Sequence, residues 1–451
     1  MTRRISVLFS CLFIFFSFSG NIMAADGSTA QGQSTPAAQI PVGQVKTEVL
    51  PADGRTGAEV FGKKGGYLHP FLLLEERYTD NLYNTESGKE DDFITTVSPG
   101  IWLALPSNRE KLLEMGTSTT SPGGLEVSRV KPESTRRFQS YLLYAPEFVY
   151  YANHSSLDSV NHKAEGMLQY NFNMGLSLDV VDQFNRRSEV NDNGISRRID
   201  DYQDNLFDFL AVYDSSEKFR FRFDYSNYAL DYKDDINDFR NRIDNSFAAY
   251  AFYKFSPRAS VFAEYEFADI KYDTYSDSDS TETRYYTGFE WEVTAKTKGR
   301  IKLGYIEKEF DLAGIDAQNA FSMEIQGQHN FNPKRALKVT GFRKFNESNM
   351  IGSYTSLSTG ISVAWLQRFT EKWSGTLNAA FTRDEYKDFF ITSPVTDERE
   401  DDIFSLAPAL RYKFRDWLLF DLAYIYSLRN SNYDIFDFTS NTIFLRANFS
   451  F

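Results

Sequence analysis

Seven short turns recur along residues 171–417, and each one joins two long segments in which aromatic and polar residues alternate. These turns lie roughly 40 residues apart. They centre near Asn173, Ser216, Pro257, Lys298, Pro333, Glu371 and Asp416. A repeat of one hairpin, with tight turns at one end and long acidic loops at the other, is typical of a transmembrane β-barrel. A closed sheet pairs every backbone amide and carbonyl within hydrocarbon, as a membrane requires.

The alternation is clearest in residues 218–225, where Phe219, Phe221 and Phe223 occupy every second position and charged residues occupy the positions between them. The two sets are called the two parities of the strand. Successive side chains of a strand point to opposite faces, so one face is apolar and the other ionic. Soluble β-sandwiches alternate in the same way, but their strands usually have about five or six residues. These segments have about 11–14 residues, enough to cross a bilayer at a tilt. The length therefore favours the membrane.

The pattern predicts an all-β fold, an antiparallel barrel of about eighteen strands over residues 67–451. Sixteen strands is the second choice. An even number places both ends of the barrel on the periplasmic side. Prolines occur within three strand segments, at Pro99, Pro146 and Pro408. Because proline cannot donate to a β-ladder, we expect bulges or bends there, unless these residues lie at the membrane boundary.

Residues 1–25 resemble a secretory signal peptide, with Arg3 and Arg4 before a short apolar run. Residues 26–66 lack periodicity and are expected to form a flexible periplasmic lead, or a plug within the barrel. A further segment, 106–136, is a long insert on the periplasmic side that is either functional or disordered. The single cysteine, Cys11, lies in the signal, so disulfides and cysteine-bound metals are not expected.

The chain carries 49 basic and 62 acidic side chains, a net charge of −13. This sign disfavours a nucleic-acid partner. Tyrosine and phenylalanine are abundant, at 27 and 41 residues. Barrels of the outer membrane place such rings in girdles at both interfaces. We therefore expect the cell outer membrane as the location, with its lipid and lipopolysaccharide as partners.

If the aromatic parity faces lipid, the opposite parity faces the lumen and supplies candidate pore-lining residues. These are Arg220, Arg222, Arg242, Asp244, Glu264, Glu266, Arg284, Glu290, Glu292, Arg300 and Lys302. Rings of charge in a channel bias which ions pass. The same groups could instead pair across neighbouring strands and stabilise the wall.

No cofactor, metal site or enzyme activity is expected from the sequence. The four histidines, His69, His154, His162 and His329, have no metal-ligand spacing. Glu264 and Glu266 share a face and could serve a glycosidase, but a polar lumen wall explains their spacing equally well.

The segments His69–Leu74, Tyr78–Tyr83 and Val97–Ile101 resemble the opening of the putative β-barrel porin 2 family. The resemblance spans about residues 67–451. It implies an outer-membrane barrel associated with exopolysaccharide synthesis and export, and it offers no catalytic residues. The alternating terminal strand with Phe449 and Phe451 resembles the signal read by the outer-membrane assembly machinery.

Three functions follow as hypotheses. The first is a porin-like channel for hydrophilic solutes, which could assist exopolysaccharide export. The second is a non-conducting docking barrel that binds polysaccharide export proteins through residues 26–66 or 106–136. The third, a barrel hydrolase, rests only on the existence of other barrel enzymes.

Overall fold

The computed structural model describes residues 66–107, 116–131, 136–190, 197–274, 276–294, 296–350, 353–387 and 398–451. The expected signal peptide, 1–25, lies outside the described residues. So does the expected lead, except for Gly66, and so do two parts of the 106–136 insert.

Eighteen β-strands form one sheet in which each strand pairs with the next and β1 pairs with β18. The strands are β1 (Leu68–Thr79), β2 (Asp92–Leu105), β3 (Phe138–Tyr151), β4 (Ser159–Asn171), β5 (Leu176–Val190), β6 (Ile199–Asp214), β7 (Phe219–Tyr232), β8 (Arg242–Ser256), β9 (Ala259–Tyr272), β10 (Ser280–Thr294), β11 (Thr297–Phe310), β12 (Gln318–Asn332), β13 (Arg335–Glu347), β14 (Thr355–Arg368), β15 (Trp373–Lys387), β16 (Glu400–Arg415), β17 (Leu418–Ser431) and β18 (Phe438–Ser450). The prediction of a closed antiparallel barrel of eighteen strands is confirmed.

The strands have 12 to 16 residues, a length that suits a tilted crossing of a bilayer. Tight turns join them at one end of the barrel, here called the short-turn end, and longer loops join them at the other, the long-loop end. Among the residues that the structure describes, no helix is long and apolar enough to cross a membrane.

The two parities separate as the sequence predicts on strands such as β7 and β8. On β7, Phe221 and Phe223 are 47% and 43% exposed on the outer face, whereas Arg222 is 7% exposed on the inner face. The paired strand continues this pattern, because Tyr250 of β8 stands opposite Arg222 and is buried. The outer face is therefore an apolar, aromatic surface, and the ionic residues point inward.

The prediction of bulges at the prolines is wrong, whereas the alternatives of a bend or of a membrane-boundary position stay predictions. Pro99 and Pro146 lie opposite each other on β2 and β3, where the ladder is interrupted between Val97–Phe148 and Ile101–Tyr144 without a change of register. Pro408 interrupts the β16–β17 ladder in the same way. Two prolines that face each other share a single gap, so the strand loses donors without gaining a residue.

Candidate functional site in the lumen

Residues 116–131, here called the lumen segment, fold into the barrel from its short-turn end between β2 and β3. A β-bridge between Thr117 and Leu125 closes a small loop. The backbone N–H of Ser118 donates to the carbonyl of Gly124 at 2.9 Å. The turn of this loop, Ser121–Gly124, is here called the tip.

The tip reaches β7 and β8 near their long-loop ends. The backbone N–H of Gly123 donates to Asp244 Oδ2 at 3.0 Å, and Arg242 Nη2 donates to the carbonyl of Ser121 at 3.4 Å. Gly124 lies against the buried ring of Tyr228 with no room for a Cβ. The segment thus extends through most of the height of the lumen.

The returning part of the segment is held by a cluster of charges on β11 and β12. Glu324 Oε2 accepts hydrogen bonds from the backbone N–H and the hydroxyl of Ser128, at 3.0 and 2.9 Å. Lys302 Nζ donates to Ser128 Oγ at 2.8 Å, and Arg300 Nη2 donates to the Ser128 carbonyl at 3.1 Å. On the wall at β6, Arg129 Nε lies 2.6 Å from Asp208 Oδ1.

The predicted pore-lining residues have inward parity, and ten of the eleven take part in ion pairs. Lys302 Nζ lies 2.7 Å from Glu264 Oε1, and Arg284 Nη1 lies 2.7 Å from Glu266 Oε1. Further pairs are Arg242–Asp244 at 3.1 Å, Arg300–Glu324 at 3.3 Å, Arg222 Nε–Asp224 at 2.7 Å and Arg220–Asp214 at 2.9 Å, among others. The charges therefore stabilise the wall and hold the lumen segment, and their role in ion passage stays a prediction.

Three of the predicted residues lie at the short-turn mouth. Arg220 and Glu290 lie 4.0 Å apart with side chains 34% and 38% exposed, and Glu292 is exposed. These residues are hydrated at the entrance rather than packed in the lumen.

The sequence did not single out Glu324, Ser128, Arg129 or Lys344, which fix the lumen segment. The composition of the insert gave no clear signal, because residues 106–136 carry five basic and four acidic side chains. Alternation could show which side chains face inward, but not that a connecting segment would meet them.

The inner face of β14–β17 differs from that of β7–β12 because its side chains are small. On this face lie Gly360, Ser362, Ala364, Ala380, Ser405, Ala407, Ala409 and Ala423. The hydrogen bonds and ion pairs of the lumen segment go to strands within β4–β13, from Asn171 on β4 to Lys344 on β13. The segment is thus displaced to one side, and the small residues border the other side.

At the long-loop end, His154 joins two loops. Its Nδ1 lies 2.7 Å from Asp92 Oδ2 and its Nε2 lies 2.7 Å from Glu90 Oε2. Arg197 from a third loop also pairs with Glu90 at 2.7 Å. Burial opposes the charging of the imidazole, but the hydrogen bonds and charges of Asp92 and Glu90 outweigh it and raise the pKa of His154. Within the described residues, no group of histidine, cysteine or acidic side chains could hold a metal ion.

The model of one protein family, putative beta-barrel porin 2, matches residues 62–451. The chain belongs to this family, as the resemblance predicted, and is a porin-like barrel of the kind found in the outer membrane. No curated protein matches the chain.

Solved structures with a similar fold include outer-membrane proteins of two bacteria. The chain is 10% identical to OpdK of Pseudomonas aeruginosa, with a TM-score of 0.42, covering 86% of this chain and 100% of OpdK. For OccK2 (OpdF) of the same organism, the identity is 8%, the TM-score 0.44 and the coverage 87% and 100%. For OccAB4 of Acinetobacter baumannii, the identity is 12%, the TM-score is 0.43, and the match covers 86% of this chain and 99% of OccAB4.

Proposed function

We propose that the protein is a passive channel that carries hydrophilic solutes through a path along the inner face of β14–β17. The observation that carries this proposal is the uneven filling of the lumen. The lumen segment bonds to strands within β4–β13, whereas the exposed side chain of Ser362 and the half-buried side chains of Ala364 and Ala380 lie on the inner face of β14 and β15. An eighteen-stranded barrel is wide enough for an aqueous bore wherever it is not filled.

Polar side chains on the inner wall would let hydrophilic solutes pass through the barrel without any covalent step. Hydroxyls such as those of Ser362 and Thr382 offer hydrogen bonds to water and to hydroxylated solutes. Arg411, which pairs with Asp421 at 2.6 Å, gives this path a charged pair near the short-turn end. Such a wall favours small, hydrated solutes over apolar ones.

A role in exopolysaccharide export is the finer part of this proposal, and the family resemblance supports it. Deleting the gene should then leave polysaccharide inside the cell, while a general porin would leave export unchanged. Measuring surface polysaccharide in the deletion strain, with and without the restored gene, separates these two outcomes.

The lumen segment favours a second candidate, a non-conducting barrel with a docking role. Planar-bilayer recordings of the folded protein distinguish the two. Discrete conductance steps support the channel. Folded protein that never conducts, even when residues 116–131 are deleted, supports the docking barrel.

The path itself can be tested with thiol chemistry because the described residues contain no cysteine. Ser362→Cys places a thiol on the inner face, and Ile361→Cys places one on the outer face of the same strand. A charged methanethiosulfonate should reduce the conductance of Ser362→Cys several-fold and leave Ile361→Cys unchanged. Equal responses of the two variants would contradict the proposed path.

A further inference from the structure

The barrel wall is incomplete between β12 and β13 near the long-loop end. The β12–β13 ladder stops at the pair Met323–Arg343. β12 nevertheless continues to Gln318, paired only with β11, and β13 continues to Glu347, paired with β14. Among the described residues, residues 318–322 of β12 and 344–347 of β13 therefore form no strand pairs with each other, so each of these stretches has one edge without a neighbouring strand.

The end of β13 lies inside the barrel wall. Phe345 and Leu357 form a pair on the same parity as the outward-facing Arg343, yet they are only 1% and 5% exposed. They pack against Ile306 on the inner face of β11. On β12, by contrast, Phe321 is 53% exposed on the outer face. The outer face of the β13–β14 hairpin thus lies under the inner face of β11.

The lumen segment occupies the free edge of β13. The backbone N–H of Glu347 donates to the carbonyl of Thr120 at 2.7 Å. Lys344 Nζ donates to Ser121 Oγ and to the carbonyl of Glu126, both at 2.8 Å. Thr120, next to the tip, therefore lies beside the edge of β13 with which the end of β12 would otherwise pair.

The register of β12 and β13 allows the missing pairs to form without a bulge. Continuing the ladder beyond Met323–Arg343 would place Ser322 opposite Lys344 and Phe321 opposite Phe345. Phe345 would then join Phe321 on the outer face, as the alternation of β13 indicates.

We propose that the lumen segment and the end of β12 compete for one edge of β13, so that closing the wall releases the segment from the lumen. This strand exchange is a gate for the channel proposed above, on which it rests. In the resting state the wall is open at this point and the segment is held inside. In the exchanged state the wall is complete and the solute path is wider.

A buried ion pair holds the resting state. Glu347 Oε1 accepts a hydrogen bond from Lys308 Nζ at 2.5 Å, and Glu347 Oε2 accepts one from the hydroxyl of Tyr272 at 2.7 Å. Moving β13 outward withdraws the carboxylate from both donors. Glu347→Gln weakens this hold and should favour the exchanged state.

Disulfide trapping tests the exchange directly in the full-length protein reconstituted in bilayers. In Phe321→Cys/Phe345→Cys the thiols become neighbours only when the wall closes, so oxidation should cross-link a fraction of molecules and raise the conductance reversibly. Glu347→Gln in the same background should increase the cross-linked fraction at least two-fold. In Thr120→Cys/Glu347→Cys the disulfide should lock the segment inside and keep the conductance low.

Tyr305→Cys/Phe321→Cys is the matched control because these residues are already paired across β11 and β12. If the control cross-links while the 321–345 pair does not, the exchange is overturned. A 321–345 cross-link with no change in conductance overturns the gate. Because cross-linking is read on a gel, a protein that forms no pores would refute the channel without obscuring the exchange.

Discussion

Asp244 on β8 accepts a hydrogen bond at 3.0 Å from the backbone N–H of Gly123, a residue 121 positions earlier in the chain. The same carboxylate pairs with Arg242 at 3.1 Å. One inward acid thus joins the barrel wall to the tip of the lumen segment. Removing contacts of this kind should change conductance while the barrel itself remains folded.

Gly124→Ala should loosen the tip. Gly124 has φ +77°, a conformation that costs a non-glycine residue about 1–2 kcal/mol, and a Cβ there would overlap the ring of Tyr228. We expect more frequent or larger conductance steps in planar bilayers. Gly314→Ala is the control, because Gly314 has φ +100° with nothing within 4 Å. If both variants behave alike, the contact with Tyr228 does not hold the tip.

Glu324→Ala should both destabilise the protein and release the lumen segment. The change leaves buried Arg300 without its carboxylate and Ser128 without its acceptor, and breaking such a pair costs about 3–5 kcal/mol. Denaturant unfolding in detergent measures the loss, and proteolysis near Ser128 measures the release. Glu264→Ala removes the other carboxylate of Lys302 without touching Ser128. It should destabilise the barrel without exposing the cleavage site, and equal cleavage would argue against the role of Glu324.

The cost of a charge on the outer face should depend on depth. Phe247 and Phe255 both face outward on β8, 42% and 55% exposed, but Phe247 lies near the middle of the strand and Phe255 beside the tight turn. In a bilayer, Phe247→Arg should destabilise folding by about 2–4 kcal/mol and Phe255→Arg by about 1 kcal/mol or less. Unfolding titrations in lipid vesicles measure both values. Equal costs would mean that this face does not contact hydrocarbon.

The loop junction at His154 should weaken as the pH rises. Because the folded state raises the pKa of His154 above the unfolded value of about 6.5, its stabilising contribution is complete below that value and is lost as the pH passes through the folded pKa. Protease accessibility of residues 80–91 should therefore increase towards pH 8. His154→Gln should abolish this dependence, and a dependence that survives in the variant would assign it to another group.

The sequence alone predicted the closed antiparallel barrel, a strand number of about eighteen, and the face on which most strand side chains lie. These properties follow from local periodicity, because a two-residue repeat assigns Phe221 outward and Arg222 inward without knowledge of distant partners. The membership of a porin family likewise rests on residues close together in the chain.

Only the tertiary structure placed Ser128 beside Glu324 and Thr120 beside Glu347. Those contacts join residues separated by 196 and more than 200 positions, and they involve an insert with no periodicity that could indicate its path. The parity of β13 likewise assigned Phe345 to the outer face, whereas the structure covers it under Ile306. Alternation indicates which face of a strand such as β13 is apolar. Whether its end pairs with the neighbouring strand depends on contacts with a segment far away in the sequence, here the lumen segment.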